Sequence, residues 1–244
     1  LSHGKFLKLH GLPQNTYNKV RTLCLVSHNE IWAGTTDGIL VIKLKQHQWY
    51  ASPLQQCKNK QYQLAANDIV QIKRDRKGII WIATNGGGLS QSITIDPNGE
   101  KLVQTGQYAF ENHEEANGLP SNEVRSITFD QKGIVWFATD RNICSYDPNK
   151  HLLSTFSVQD GISDVACSEA GAITLPNGNM IFGTLNGYYI VDIHRLGAHS
   201  KSSFKLAITD FFVNDQLMTP RLSNTYDYYI PDSNRVELPS RSSI

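Results

Sequence analysis

Residues 118–139 have the sequence GLPSNEVRSITFDQKGIVWFAT, and this stretch recurs in weaker form along the chain. Its most recognisable part is an aliphatic residue, Trp, any residue, a small residue and Thr, found at Ile31–Thr35, Ile80–Thr84 and Val135–Thr139. A fourth copy, Met180–Thr184, has Ile181 in the place of Trp. The Trp position of this five-residue pattern is called the anchor, and successive anchors lie 49, 55 and 45 residues apart. Self-similarity with a period of about 20–50 residues is typical of repeat architectures.

Each copy predicts short strands separated by tight turns. Alternating strands precede the anchor at Val20–Leu25, Ile69–Ile72 and Val124–Phe129, and others follow it at Ile39–Ile42, Leu89–Ile93, Ile143–Tyr146 and Tyr188–Val191. Gly78, Gly133 and Gly178 stand three residues before their anchors, where Gly accommodates the positive φ of a hairpin turn. A fourth strand such as Leu152–Phe156 completes the unit. The pattern predicts an all-β fold of about four four-stranded β-propeller blades, forming a partial ring.

The Trp of each copy is predicted to be structural. A large aromatic side chain on the second strand can fill the gap between neighbouring sheets. Trp32, Trp81 and Trp136 are therefore expected in the core as repeat anchors. An aromatic platform for a sugar is the disfavoured alternative, because all three share the same core-facing position of the repeat.

The composition is that of a folded domain. Of the 244 residues, 40% are hydrophobic and 18% charged, which is too apolar for intrinsic disorder. Lys and Arg total 23 against 22 Asp and Glu, and no basic run is present, so nucleic acid is not an expected partner. No apolar stretch approaches the ~20 residues of a transmembrane helix, and residues 1–5 lack signal-peptide features.

Neither a disulfide framework nor a metal centre is predicted. The four cysteines, Cys24, Cys57, Cys144 and Cys167, form no Cys-x-x-Cys pair. They are interpreted as buried thiols that pack like small hydrophobic residues. The closest His pair, His194 and His199, has no evident third ligand, so no metal and no cofactor are expected.

The unit at residues 118–139 resembles the two-component regulator propeller repeat, from its Gly-Leu-Pro tip through Asp130 and Gly133 to Trp136, Ala138 and Thr139. The resemblance extends over residues 11–192. The fourth copy departs from it, since it lacks the Trp and begins Asp160-Gly161-Ile162. In this family the repeats fill the extracytoplasmic sensors of hybrid two-component histidine kinases.

The resemblance implies a sensor module that binds an oligosaccharide and passes the signal to a histidine kinase. It also implies a homodimer formed through the full sensor. The implied location is the periplasmic part of an inner-membrane protein, with membrane contact only through other segments of the parent protein. Since the sequence holds no His-box, nucleotide-binding glycine cluster or receiver Asp context, this chain itself is not expected to be an enzyme.

The expected domain organisation follows from the same resemblance. Residues 1–193 are assigned to propeller blades, and Leu1–His10 is interpreted as the outer strand of a preceding blade. The repeats lie near residues 11–50, 65–110, 117–156 and 160–192. Residues 194–203 are interpreted as a linker. Residues 204–244, which open with the predicted strand Phe204–Val213, resemble the beginning of the Ig-like domain that follows the last blade in this family, and this domain would be incomplete here.

Ligand-binding candidates lie in the loops that a four-stranded blade brings to one face, namely the segments leading into the first strand and the turns after the second. They are Asp37, Asn85, Asp140, Arg141, Asn186 and Tyr188, together with Asn18, Asn67 and Asn122 before the first strands. Such side chains offer the fixed donors and acceptors that a sugar requires. The competing interpretation is that Asn and Asp bond the backbone of their own turns.

Two other functions stay open at this point. Many propellers are protein-interaction scaffolds, and the enlarged segment 96–117 could then be a docking loop. A propeller glycosidase or lyase is less favoured, because it would need two carboxylates across a pocket. The acidic stretch Glu111–Glu115 is interpreted as a solvated loop and not as such a pair.

Overall fold

The structure, a computed structural model, describes residues 9–12, 17, 19–94, 106–162, 166–192, 212–213 and 216–217. The chain divides into two compact units, Leu1–Arg195 and Leu196–Ile244. The strands of the first unit are β1 (Leu9–His10), β2 (Val20–Ser27), β3 (Glu30–Thr35), β4 (Gly38–Lys45), β5 (Gln48–Pro53), β6 (Ile69–Arg74), β7 (Ile80–Thr84), β8 (Leu89–Ile93), β9 (Ala109–His113), β10 (Val124–Phe129), β11 (Val135–Thr139), β12 (Ile143–Asp147), β13 (Leu152–Phe156), β14 (Cys167–Thr174), β15 (Met180–Thr184) and β16 (Gly187–Val191). Three short 3₁₀ turns occur at Lys60–Tyr62, Glu115–Asn117 and Val158–Asp160.

The second unit contributes a small antiparallel pair of β17 (Phe212–Val213) and β18 (Gln216–Leu217). The predicted strand Phe204–Val213 is described only at its end. The linker predicted at residues 194–203 and the rest of the predicted Ig-like segment lie outside the described residues.

Each repeat folds into one sheet in which consecutive strands are hydrogen-bonded neighbours. The strand orders are β1-β5-β4-β3-β2, β6-β7-β8-β9, β10-β11-β12-β13 and β14-β15-β16, here called the first to fourth sheets. The all-β fold of propeller blades is thereby confirmed. The number of strands differs from four in two blades, since the first sheet has five strands and the fourth has three among the described residues.

The fifth strand of the first sheet corrects one expectation. Leu9 and His10 pair in parallel with Trp49 and Tyr50 of β5. The interpretation of this segment as the outer strand of a preceding blade is therefore wrong for these two residues. An edge strand such as β5 presents unpaired N–H and C=O groups, and the segment before Gly11 satisfies some of them.

The first strands of the four sheets lie next to one another, since β2 contacts β6, β6 contacts β10 and β10 contacts β14. Polar side chains of β6 join them. Gln71 Oε1 accepts a hydrogen bond from Ile127 N at 2.6 Å, and Gln71 Nε2 donates to Ala170 O at 3.5 Å. Lys73 Nζ donates to Ala172 O at 2.9 Å. One strand of the second sheet is thus bonded to both the third and the fourth sheet.

Two apolar cores fill the space between adjacent sheets. Trp32 packs with Ile69, Ile82 and Phe110 of the second sheet. Trp81 packs in the same way with residues of the third sheet, among them Val124, Ile127 and Phe137. Both indoles are fully buried, and Trp136 is 6% exposed. Trp32 and Trp81 therefore each pack against the following blade, whereas Trp136 stacks on Phe156 of its own sheet with ring centroids 5.7 Å apart.

The Asp six residues before the Trp holds both the hairpin turn and the indole. Asp130 Oδ1 accepts hydrogen bonds from the N–H groups of Lys132 and Ile134 at 2.8 and 2.9 Å, and its Oδ2 lies 3.5 Å from Trp136 Nε1, which donates to it. Asp75 repeats the arrangement with Ile79 N at 2.9 Å and Trp81 Nε1 at 3.2 Å. This double bonding links Asp with Trp in the second and third copies, whereas in the first copy position 26 is Val and Trp32 Nε1 donates to Glu30 Oε1 at 2.7 Å.

We expect Asp130→Ala to lower the free energy of unfolding by about 1–3 kcal/mol, because two backbone N–H groups of the turn lose their buried acceptor. Asp130→Asn keeps a carbonyl oxygen for these N–H groups and should cost less. Denaturation in urea, followed by circular dichroism, measures both losses. Equal losses in the two variants would contradict the role assigned to the acceptor.

The cysteines behave as the sequence predicts. Cys24, Cys57, Cys144 and Cys167 are all free and buried. Burial raises the pKa of the Cys144 thiol to about 12, so this thiol is protonated at neutral pH. Cys24, Cys144 and Cys167 are therefore packing residues of the strands, and Cys57 packs in the segment that follows β5.

Candidate functional site

The turns that follow the second strands are fixed by the Thr of the repeat. Its hydroxyl accepts a hydrogen bond from a backbone N–H two or three residues further on. The pairs are Asp37 N with Thr35 at 3.0 Å, Gly87 N with Thr84 at 3.1 Å, Asn142 N with Thr139 at 3.0 Å and Asn186 N with Thr184 at 3.3 Å. The four turns therefore present their side chains from a constrained backbone.

These turns meet the segments that lead into the first strands. Asn85 N donates to Asp68 O at 2.9 Å, Gly86 N to Asn122 O at 3.0 Å and Cys167 N to Asp140 O at 3.0 Å. Both kinds of loop consequently lie at one end of the sheets. This surface, formed by residues 36–37, 85–88, 140–142 and 185–186 with the starts of β2, β6, β10 and β14, is called the rim.

A network of ion pairs crosses the rim and joins all four sheets. Arg21 NH1 lies 2.9 Å from Asp68 Oδ1 and 3.8 Å from Glu169 Oε1. Arg125 NH1 lies 3.3 Å from the same Glu169 oxygen, and Arg125 also pairs with Glu123. The five side chains are between 23 and 47% exposed. Charged groups from every sheet thus converge at a place that solvent can reach.

The predicted candidates are distributed unequally around this network. Asn85 belongs to it, because its Nδ2 donates to Asp68 Oδ2 at 3.1 Å. Asp37 accepts from Tyr17 N at 3.0 Å through Oδ2, so its carboxylate binds the backbone of the segment that leads into β2 and not that of its own turn. Arg141 Nε lies 3.9 Å from Asp140 Oδ2.

Asn186 and Tyr188 lie in the fourth sheet. Both are exposed, and 67% of Tyr188 is accessible to solvent. Of the Asn residues before the first strands, Asn122 accepts from Glu115 N through Oδ1 at 2.8 Å. Asn18 lies outside the described residues.

The sequence interpretation missed the charged residues of the network, although the repeat carried a signal for them. Arg21 and Arg125 both stand three residues after the Asn that precedes the first strand. Asp68 and Glu123 both stand one residue after that Asn. Charged residues at equal repeat positions project to one end of adjacent strands, so aligning the copies by charge would have found four of the five.

A second feature is a cavity of about 250 Å³ between the outer strands of the second and third sheets. Glu111, Asn112 and His113 of β9 line it, opposite Tyr146 and His151. Its apolar floor consists of Leu89, Leu119, Phe137 and Leu153. A larger open cavity of about 1060 Å³ shares Glu111, Asn112, Asn117 and His151 with it. The two together are called the interblade groove.

His113 occupies an unusual position in the groove. Its ring stacks on Trp81 with centroids 6.3 Å apart and lies 4.6 Å from the Tyr146 ring. Its Nε2 is buried without a hydrogen-bond partner among the described residues. Burial lowers the pKa of His113, against a smaller opposing effect of Glu111. The imidazole is therefore neutral at pH 7.

This position corrects the interpretation of Glu111–Glu115 as a solvated loop. Glu111 to His113 belong to β9, the fourth strand of the second sheet, which pairs with β8. The preceding Ala109 and Phe110 are fully buried. These two apolar residues anchor the strand, and the polar residues after them obscured it in the sequence.

Comparison with known proteins supports the repeat assignment. Residues 63–86 and 118–141 match the family model described as two component regulator propeller. Residues 63–86 and 118–141 are therefore similar to two-component regulator propeller repeats. The matched segments cover the first two strands of the second sheet and of the third sheet, including Trp81 and Trp136.

The chain is similar in sequence to a histidine kinase and similar in fold to extracellular domains of known structure. Histidine kinase P4 of Formosa agariphila is 21% identical over 206 residues, which are 84% of this chain and 14% of the kinase. The crystal structure of an extracellular domain assigned to a hybrid two-component system of B. thetaiotaomicron is 20% identical, with a TM-score of 0.53 over 81% of this chain and 23% of that domain. A second structure of that domain, there assigned to a one-component system, gives a TM-score of 0.52. The chain thus spans less than a quarter of the length of these relatives.

The part of the chain that the structure describes contains no helix of the length and apolarity that a membrane crossing requires. Within the same residues, no group of three or more His, Cys, Asp or Glu side chains is arranged to hold a metal ion.

Proposed function

We propose that this chain is part of the extracytoplasmic sensor of a hybrid two-component system, in which the rim binds an oligosaccharide signal that is transmitted to a histidine kinase. The observation that carries the proposal is the ion-pair network of Arg21, Asp68, Arg125 and Glu169, to which all four sheets contribute. The propeller repeats and the kinase relative support the sensor context.

The chemistry of the rim suits a polyhydroxylated ligand. Hydroxyl groups both donate and accept hydrogen bonds, so a sugar can bond to the carboxylates and to the guanidinium groups at once. Partly exposed ion pairs contribute only about 0–1 kcal/mol each. Exchanging one of them for bonds to a ligand is therefore inexpensive, and the ligand can change how the sheets are held together.

Signal transmission requires two arrangements of the propeller with different affinity for the ligand. The network offers such a coupling, because a ligand that engages Arg125 or Glu169 changes the contacts between the third sheet and the fourth. In the proposed sensor the chain acts without catalysis, residues 204–244 begin an Ig-like domain that leads towards the inner membrane, and the complete periplasmic region forms a homodimer.

Calorimetric titration of the 244-residue chain with a panel of plant, algal and host oligosaccharides tests this function. We expect one member to bind, and Arg125→Ala to weaken its binding about tenfold or more, since hydrogen bonds to charged groups contribute ~1.5–3 kcal/mol. Arg76→Ala, in the exposed turn between β6 and β7, is the matched control and should leave affinity unchanged. Absence of binding across the panel, or equal effects of the two variants, would overturn the assignment of the rim.

A further inference from the structure

The inner end of the interblade groove gathers polar groups that the proposed function does not use. Glu111, His113, Tyr146 and His151 all line the 250 Å³ cavity above its apolar floor. Glu111 is close enough to act electrostatically on both His113 and Tyr146. Tyr146 Oη and His151 Nδ1 lie 3.2 Å apart and share a hydrogen bond.

The side-chain amides at this end each donate a hydrogen bond within the protein. Asn112 Nδ2 donates to Gln63 O at 2.7 Å, and Asn117 Nδ2 donates to Asn112 O at 3.0 Å. What the cavity offers a ligand is acceptor capacity. His113 Nε2 is buried without a partner among the described residues, and Glu111 is a carboxylate that accepts from Gln91 Nε2 through one oxygen, Oε2. A buried polar atom without a partner costs about 1–3 kcal/mol, which a ligand that donates to it would recover.

The charge of the cavity points in the same direction. Of the described residues that line its inner part, Glu111 is the one carboxylate, and Lys and Arg are absent from that lining. The outer cavity adds Glu114 and Lys60, whose charges offset each other. Glu111 is therefore the fixed charge of the inner lining, where it stands beside the two imidazoles of His113 and His151.

We infer that the inner end of the interblade groove is a binding site for a small organic ammonium ion. An ammonium group carries three N–H donors and no acceptor. Glu111 and the Tyr146 oxygen are acceptors for it, as is His113 Nε2 in the tautomer that carries its proton on Nδ1, and the Tyr146 ring can add a cation–π contact. The hydrocarbon part of the ligand packs on Leu89, Leu119, Phe137 and Leu153.

Size and charge set the class of ligand. Pockets for drug-sized molecules measure about 300–1000 Å³, so a cavity of about 250 Å³ takes a molecule of roughly one ring. A neutral alcohol of that size would bond to the same groups but would leave the carboxylate charge uncompensated. This site is separate from the ion pairs of the rim, so it stands or falls independently of the proposed function.

The test compares two probes of nearly equal shape, cyclohexylammonium and cyclohexanol, titrated into the 244-residue chain at pH 7 and followed by saturation-transfer NMR and calorimetry. We expect cyclohexylammonium to bind at least tenfold more tightly than cyclohexanol. Equal affinity for the two, or binding of neither, would overturn the inference.

Three variants test whether the probe binds at the inner end of the interblade groove. Glu111→Gln removes the charge and keeps an oxygen for Gln91, and we expect it to weaken cyclohexylammonium binding about tenfold or more, as loss of a charged hydrogen bond does. His113→Phe keeps the stacking on Trp81, removes Nε2 and should also weaken binding. Glu123→Gln removes a carboxylate of the rim and should have no effect. If Glu111→Gln fails to fold, His113→Phe decides, and unchanged affinity in a folded variant of either residue would contradict the site.

Discussion

Replacement of Trp81 by alanine should lower the free energy of unfolding by about 3–5 kcal/mol, as truncation of a large buried aromatic does. The indole is fully buried between the second and third sheets. Its removal leaves a cavity beside Phe137 and takes away the hydrogen bond from Nε1 to Asp75 Oδ2, which measures 3.2 Å. Typical domains have a stability of about 5–15 kcal/mol, so a large part of it would be lost.

Trp49→Ala is the matched control for this prediction. Trp49 lies on β5, outside the repeat position, and is only partly buried. Its truncation removes the same side chain from a position outside the two apolar cores between the sheets. The loss of unfolding free energy should therefore be clearly smaller than for Trp81→Ala. Urea denaturation measures the loss of unfolding free energy in both variants. Equal losses would contradict the role assigned to the repeat Trp, which is to pack one blade against the next.

Much of the fold follows from local chemistry that the sequence displays. In the second and third copies the turn Gly, the Asp that holds the hairpin and the Trp that follows it occur at the same spacing, so the strands on both sides of Trp81 and Trp136 could be placed without a structure. These features act within about 20 residues of one another. The parallel pairing of Leu9 and His10 with β5 depends on a free sheet edge about 40 residues away, which no local pattern announces.

The candidate sites were harder to predict, because their residues act across sheets. Arg21 and Glu169 are 148 positions apart in the chain, and their ion pair exists only because four first strands lie side by side. His113 presents the same difficulty in another form. Its neighbours Trp81 and Tyr146 come from two different blades, whereas its sequence context is acidic and polar. Residue type alone therefore indicated a loop where the structure has a partly buried strand.

The rim and the interblade groove depend on one turn, residues 85–88, at which the second sheet meets the third. Gly88 has a φ of +69°, and a Cβ placed on it would lie 2.1 Å from His113 O. The backbone at Gly88 is held on both sides, since its N–H donates to Asn122 O at 2.9 Å and its carbonyl accepts from Thr84 N at 3.0 Å. The turn cannot move aside without breaking these bonds, and β9 is held by its pairing with β8, in which His113 is the partner of Leu89.

Gly88→Ala should therefore lower the free energy of unfolding by about 2–6 kcal/mol, the sum of ~1–3 for the left-handed backbone and ~1–3 for overpacking. Gly86→Ala is a control from the same turn, because Gly86 also has a positive φ, +96°, but nothing lies within 4 Å of its added Cβ. It should show the backbone cost alone. Parallel urea titrations measure the difference in unfolding free energy between the two variants. This difference is the cost of placing a Cβ at Gly88 against the His113 carbonyl oxygen. If the two variants are equally stable, the second sheet does not have the tight β8–β9 junction that positions His113 in the groove, and the ammonium site would lose its structural basis.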